Sequence, residues 1–455
     1  MATTQPAGRG TWNSKLGFIL AAAGSAVGLG NIWGYPTQVA DNGGAAFILV
    51  YLICCIVIGI PVMIAEITIG RKTGKNPVGA FKALNKSGFG AIIGYWGVLC
   101  GFMILAFYLV ISGWTLAYVF EEIAKYAGNR DLALWFGDLE NGPKNAAFTV
   151  VFLLFTIGII NGGVSNGIER ATKFLMPVLL GILLIMIFYV LTMEGSAEGV
   201  KKYLSPDFSQ IDLDLTLSAM GQAFFSLSLG MGALITYGSY LKKDQNIVEA
   251  ATYVTLADIG IAFIAGLLVI PAMYVALNQG IAIFDDQGDL ISSVSLVFTV
   301  LPALFENIGG LLGLSISISF FLLLGLAALT SSISLLEVPV SYMIDEHLFT
   351  RRRASWLVGG SIGVVALIIS FDIGLIDIFV YIFNEIGLPL GGLMMCIFLG
   401  WLWKTENAIA EMKHGYETID DSSFGTIWSF FIKYVCPVLI GIVLITTLIN
   451  ILGSL

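Results

Sequence analysis

A carboxylate, Asp258, stands inside the apolar run ATYVTLADIGIAF (251–263). A charge is costly to hold in lipid, so an intramembrane carboxylate is a candidate for binding an ion or a proton. Two further apolar runs are weakened in their middles. GSAVGLGNIWGYP (24–36) carries glycines, an asparagine and a proline, and FFSLSLGMG (224–232) repeats the weakness. Each such glycine costs a helix interior about 1 kcal/mol relative to alanine. GSAVGLGN (24–31) and SLSLGMGA (226–233) both place a small residue one turn before a G-x-G. A helix interrupted in lipid leaves N–H and C=O groups that need partners. Freed N–H groups suit anions and freed carbonyls suit cations. The chemistry on offer is capture of a small ion and a small solute by bare backbone. Close glycine packing between helices is the competing reading, and two weak helices at equivalent places count against it.

Bond-making chemistry has little to build on. The two histidines, His347 and His414, fall in polar connectors, so neither a histidine metal site nor a Ser-His-Asp triad is available. Cys54, Cys55, Cys100, Cys396 and Cys436 lie in or at the ends of apolar runs and read as buried free thiols. A net charge of −9 offers no basic surface for nucleic acid. An enzyme is not expected.

The elements that position these residues follow from composition. The chain has 455 residues, 57% hydrophobic and 12% charged, with a mean hydropathy of +0.90. That implies an all-α polytopic membrane protein rather than a soluble one or a β-barrel. Helices are expected at 13–39, 44–71, 88–124, 145–161, 168–192, 214–241, 248–278, 308–345, 353–371, 375–403 and 424–452, eleven in all. The first run does not read as a signal peptide. With the N-terminus in the cytoplasm, sixteen Lys and Arg residues fall inside, among them Arg9, Arg71, Arg170 and Arg351, and five fall outside. The bias predicts a cytoplasmic N-terminus in a cell membrane, and an odd span count an extracellular C-terminus. The connector 279–307 has no Lys or Arg, and its FDDQGD (284–289) is expected to cap the outer mouth. The weak helices are the first and the sixth. Equivalent helices are offset by five, an odd number, so the second unit enters the membrane inverted: one repeat over about 13–192, another over about 214–403, and an extra helix at about 424–452. Broken helices at corresponding places of inverted repeats point to a transport site near the midplane.

WNSKLGFILAAAGSAVGLGNIW (12–33), DNGGAAFILVYL (41–52), IPVMIAEITIGR (60–71), GQAFFSLSLGMGALITYGSY (221–240) and LTSSISLLEVPVSYMIDE (329–346) resemble the neurotransmitter:sodium symporter family, nearest to its bacterial amino-acid transporters. The resemblance spans nearly the whole chain. It implies the leucine-transporter fold and sodium-coupled uptake of small solutes by alternating access. Two sodium ions are implied. The first falls to Ala26, Asn31, Ser226 and Asp258, and the second to Gly24, Val27, Ala327, Thr330 and Ser331. Such oxygen ligands suit a hard cation. For Thr330 and Ser331 the plainer reading is helix–helix hydrogen bonding.

The implied solute site comprises Ala26, Gly28, Leu29, Gly30, Ile104, Tyr108, Phe225, Ser228, Met231, Ser332 and Leu335. Amides at Leu29 and Gly30 with the Tyr108 hydroxyl would take a carboxylate, and carbonyls of Ala26, Phe225 and Ser228 an ammonium. Amine-transporting relatives carry an aspartate where this chain has Gly28, so a neutral, mainly hydrophobic amino acid is expected. Tyr51, Gln222 and Ser226 match a chloride site of relatives, and Asp258 is expected to supply that charge, making transport chloride-independent and allowing proton counter-transport. Arg9 and Asp345, supported by Trp12, Ser239 or Tyr240 and Glu66, match a cytoplasmic gate. Gly167 and Pro177 match a Gly-x9-Pro motif at which helix 5 unwinds. One departure is plain: NIWGYP puts Gly34 where the family has the arginine of its outer gate, and Glu385 is a poor match for the acidic partner. That departure leaves a ligand-binding sensor or a leaky conductor on the same fold as the alternatives. Oligomeric state is not readable.

Overall fold

Every one of the eleven expected stretches is helical, in the expected order. The computed structural model describes residues 10–85, 88–284, 294, 296–416, 419 and 423–454. Arg9, Lys86 and residues 285–289 of FDDQGD lie outside the described residues. Among those described, nine helices are long and apolar enough to cross a membrane: α2 (Ala45–Thr73), α3 (Gly88–Tyr126), α4 (Gly142–Asn161), α5 (Val164–Val190), α7 (Ile247–Asn278), α8 (Gly310–His347), α9 (Arg351–Phe371), α10 (Leu375–Gly415) and α11 (Phe424–Ile449). A tenth span, α1, is a pair, Lys15–Ala26 and Gly30–Asp41, bent by 56°. The sixth, α6, is also a pair, Leu213–Ser226 and Ala233–Gly238, each half too short to cross alone. Short helices at Pro77–Leu84, Arg130–Gly137, Ser196–Leu204 and Leu301–Ile308 fill connectors where none were expected.

The two breaks have different local causes. In α6, Ser228, Gly230 and Gly232 all have positive φ, at 54°, 84° and 77°. Left-handed residues at alternate positions cannot continue a right-handed helix. In α1 the helix stops at Val27, whose ψ of 99° is extended, and its N–H still reaches Ala23 O. The chain turns back into helix at Gly30. Upstream, Ser14 caps α1, its hydroxyl accepting from Gly17 N at 3.0 Å.

Packing places both breaks at the centre. The first half of α1 lies against α5, α7 and α8, while the second half of α6 lies against α2. Glycine permits the last approach: a Cβ on Gly70 would stand 2.0 Å from the Ile235 carbonyl oxygen. The lipid-facing rim is apolar, with Phe155 on α4 and Phe174, Ile185 and Phe188 on α5 all exposed.

Gly70→Ala is therefore expected to destabilise the protein by about 1–3 kcal/mol, the usual cost of overpacking against backbone. Gly260→Ala, with nothing within 4 Å of the added carbon, should change stability by less than about 0.5 kcal/mol. Thermal unfolding of the two variants in detergent checks the contrast.

Candidate ion and solute site

Asp258 is fully buried on α7 and both its oxygens have donors. Asn31 Nδ2 donates to Oδ1 at 2.7 Å and Ser226 Oγ to Oδ2 at 2.8 Å. The Tyr51 hydroxyl lies 3.2 Å from Ser226 Oγ and 3.4 Å from Oδ2. Asn31 Nδ2 also reaches Ser226 Oγ at 3.1 Å, and Asn31 Oδ1 accepts from Gly28 N at 3.1 Å. One carboxylate thus ties the second half of α1 to the first half of α6, with α2 joining through Tyr51. The expected first-ion residues Asn31, Ser226 and Asp258 are together. Gln222, expected beside the carboxylate, has no hydrogen bond to it; its amide donates to the Gly30 carbonyl at 3.1 Å.

A second group of oxygens gathers where α8 meets the α1 break. Thr330 Oγ1 lies 3.2 Å from Val27 O and 2.9 Å from Ala327 O. Ser331 Oγ lies 3.2 Å from Ser25 O and 3.5 Å from Val27 O. Gly24 lets the helices close here, since a Cβ on it would meet Thr330 Cβ at 3.3 Å and Met176 Sδ at 3.4 Å. Hydroxyls and carbonyls in this number form an all-oxygen donor set suited to a hard cation. Ser25 was not among the expected residues. Its carbonyl also accepts from Ser228 Oγ at 2.9 Å, and its hydroxyl bonds Ser334 Oγ at 2.7 Å.

Between the breaks lies a cavity of about 30 Å³, the room of a water-sized guest. Ala26, Gly28, Gly30, Ile104, Tyr108, Phe225, Ser228, Met231 and Leu335 line it as expected, joined by Leu388 of α10. Leu29 contributes its N–H, which donates to the Tyr108 hydroxyl at 3.1 Å. Ser332 is a correction. It points at α4, where its hydroxyl meets Thr156 Oγ1 at 2.9 Å, and Ser331 faces the cavity instead. Gly28 is hemmed in: a Cβ there would stand 2.4 Å from Ser331 Oγ and 2.9 Å from the Tyr108 hydroxyl.

Phe225 separates this cavity from a vestibule of about 510 Å³. Gln38, Asp214, Gln222 and Glu385 line the vestibule, and no basic side chain does among the described residues. A Cβ on Gly34 would find only Gln222 Oε1 within 4 Å, at 3.8 Å.

At the opposite end Trp12 is clamped to the second half of α6. Its indole donates to Tyr237 O at 2.9 Å and its N–H to Tyr240 O at 3.3 Å. Asp345 Oδ2 accepts from Asn76 N at 2.8 Å and Asn76 Nδ2 at 3.1 Å; its expected partner Arg9 lies outside the described residues. The expected supports Tyr240, Ser239 and Glu66 all carry hydrogen bonds. The Tyr240 hydroxyl donates to Glu337 at 2.6 Å, Ser239 bonds within its own helix, and Glu66 accepts from Gly230 N at 2.7 Å at the α6 break. Glu337 takes both guanidinium arms of Arg351, at 2.7 and 2.8 Å. Sequence reasoning missed this pair, although a second carboxylate in an apolar run carries the same signal as Asp258. In α5 the chain stays helical through Gly167 and Pro177, with wide π turns over Val164–Glu169. Unwinding at Gly167 and Pro177 is therefore not a feature of this conformation. Glu169 instead anchors the start of α1, accepting from Asn13 N at 2.8 Å, Ser14 Oγ at 3.0 Å and Lys173 Nζ at 2.6 Å.

Comparison with known proteins agrees with this geometry. The family described as the sodium:neurotransmitter symporter family matches residues 9–130 and 129–454. An uncharacterized sodium-dependent transporter of Haemophilus influenzae is 34% identical over 472 residues, covering 98% of this chain and 100% of that protein. The Bacillus subtilis protein YhdH, described in the same words, is 32% identical over 98% of both chains. The crystal structure of MhsT in complex with L-phenylalanine superposes with a TM-score of 0.84 at 39% identity, covering 97% of this chain and all of that one.

The buried pair makes its own prediction. Glu337→Gln strands the Arg351 guanidinium and should cost about 3–5 kcal/mol. Replacing both residues with glutamine should recover much of that loss. Denaturant or thermal unfolding of the single and double variants distinguishes the pair from a general packing defect.

Proposed function

The chain belongs to the sodium:neurotransmitter symporter family, whose members are sodium-coupled transporters rather than enzymes, and on that footing we propose that it carries neutral, mainly hydrophobic L-amino acids into the cell. The observation that carries the substrate class is the wall around Gly28. A side chain there would have to displace the Ser331 and Tyr108 hydroxyls, so the site offers no carboxylate of its own to an amine and leaves those hydroxyls free for the carboxylate of an amino acid. The Leu29 N–H and Tyr108 hydroxyl, bonded to each other, are the groups such a carboxylate would engage. Ile104, Met231 and Leu335 supply an apolar wall, and no charged side chain lines the cavity among the described residues. The bound L-phenylalanine of MhsT is in keeping with this class.

Two sodium ions accompany the solute in this reading. Asn31, Ser226 and Asp258 would hold one with the Ala26 carbonyl and the solute carboxylate. Gly24, Val27, Ala327, Thr330 and Ser331 would hold the other. Asp258 serves as the fixed negative charge in place of chloride, with Tyr51 and Ser226 as its donors and Gln222 acting on Gly30. Phe225 and Tyr108 close the site toward the vestibule. Arg9 with Asp345, backed by Trp12, closes the other end, and loosening of α5 between Gly167 and Pro177 lets water reach the second ion. The N-terminus is cytoplasmic, the C-terminus extracellular and the membrane that of the cell.

In proteoliposomes, an inward sodium gradient should drive accumulation of labelled phenylalanine and leucine in chloride-free buffer. Asp258→Asn should cut that uptake about tenfold, the worth of one charged hydrogen bond, and make the remainder chloride-stimulated. Gly28→Asp should abolish it. Sodium-dependent binding without flux would instead indicate a sensor, and a sodium current without substrate a leak.

A further inference from the structure

A groove of about 460 Å³ runs along the outer face of the α4–α5 corner, away from the ion and solute site and sharing only Gly167 with the residues assigned above. Its wall is Gly158 and Ile159 on α4 with Gly162 just after it, and Asn166, Arg170 and Phe174 on α5. The α5 residues recur every fourth position, so they form one stripe along the helix. The stripe is graded. Asn166 and Arg170 sit in the first two turns, at the end of the molecule that also carries Arg351, Arg352 and Arg353. Phe174, one turn further in, is 67% exposed. Nothing lies within 4 Å of a Cβ on Gly158, so the α4 side of the groove is open to a guest.

Arg170 is the informative residue. It is exposed, and its side chain makes no ion pair or hydrogen bond with any described residue. Its neighbour Lys173 is turned inward onto Glu169 at 2.6 Å. Arg351 is committed to Glu337 and to the Ile160 carbonyl at the end of α4. An unpaired guanidinium beside an amide, at the mouth of a groove that becomes apolar with depth, matches a phosphate followed by an acyl chain. Arginine forks suit phosphate oxygens, and basic pockets between membrane helices on the basic side bind anionic head groups. A free phosphate would use Arg170 and Asn166 but leave Phe174 and Ile159 without a partner.

We propose that the α4–α5 groove is a seat for one anionic phospholipid, its phosphate on Arg170 and Asn166 and one acyl chain along Phe174, Ile159 and Gly158. The seat lies directly over Gly167, whose missing side chain lets α5 pack on the Ile159 carbonyl. It needs only the membrane placement of the chain and not the substrate assignment.

Native mass spectrometry of the purified full-length protein, titrated with phosphatidylglycerol or phosphatidylcholine, tests it. The wild-type chain should retain phosphatidylglycerol preferentially. R170Q should lower that retention roughly fivefold, the worth of one basic residue near an anionic surface, while R170K should keep most of it. R353Q, which alters an exposed arginine elsewhere, should leave it unchanged. Gly158→Trp, filling the groove, should lower retention of both lipids. Equal retention of the two lipids by the wild type, or an unchanged preference in R170Q, would overturn the proposal. So would competition by millimolar inorganic phosphate with no effect of Gly158→Trp. Sodium-dependent phenylalanine binding, measured on the same samples, reports on the transport reading separately.

Discussion

A backbone N–H or C=O left bare in hydrocarbon costs several kcal/mol, and the two breaks expose several at once. The centre of the molecule is organised around meeting that demand. Gly28 N is met by Asn31, Leu29 N by Tyr108 of α3, and Gly230 N by Glu66 of α2. Ser25 O is met by Ser228 and Ser331, Val27 O by Thr330, and Gly30 O by Gln222. Side chains from the surrounding helices thus stand in for the missing helical partners. Each is exchangeable: a cation can take a carbonyl from a hydroxyl, and a carboxylate can take an amide from a phenol. In the proposed reading, ion and solute replace these hydrogen bonds.

Charge is handled by the same rule. Glu66, Glu169, Glu337 and Glu411 are buried as deeply as Asp258, and each has hydrogen-bonding or cationic partners. Arg71 and Lys243 both reach Glu411, at 3.0 and 2.6 Å, fastening the end of α2 and the chain after α6 to the end of α10. Glu169 and Glu337 do comparable work for the starts of α1 and α9. These carboxylates lie at element junctions, where pairing fixes which helices stay together. Asp258 differs in that its partners come from both broken helices.

Much of this was legible in the sequence because its causes are local. Runs of apolar residues set the spans, and a small residue one turn before a G-x-G marked both breaks. The resemblance then assigned residues to each expected site. It did not give orientation. Ser331 and Ser332 are neighbours in sequence, yet one step along a helix turns a side chain by about 100°, enough to send one into the cavity and the other to Thr156. Nor did the resemblance give the partner of Gln222, whose long amide reaches Gly30 rather than the Asp258 carboxylate on α7. The Glu337–Arg351 pair escaped because it spans the reversal between α8 and α9, where spacing says nothing about distance. The short connector helices lack the length that made the spans readable.

The halves of α6 also bear on how the chain is made. A nascent segment partitions into the bilayer readily when about 20 consecutive residues are apolar and helical. Here the pieces are 14 and 6 residues long, and the link between them is held off-helix by three left-handed positions. That segment's partners outside α6 include Glu66 at the Gly230 N–H and Asn31 and Tyr51 at the Ser226 hydroxyl, all synthesised earlier, and Asp258, which follows. Integration of α6 during synthesis should therefore wait for α7 and dock onto a first repeat that is already in place, making biogenesis of this protein sequential from its N-terminal half.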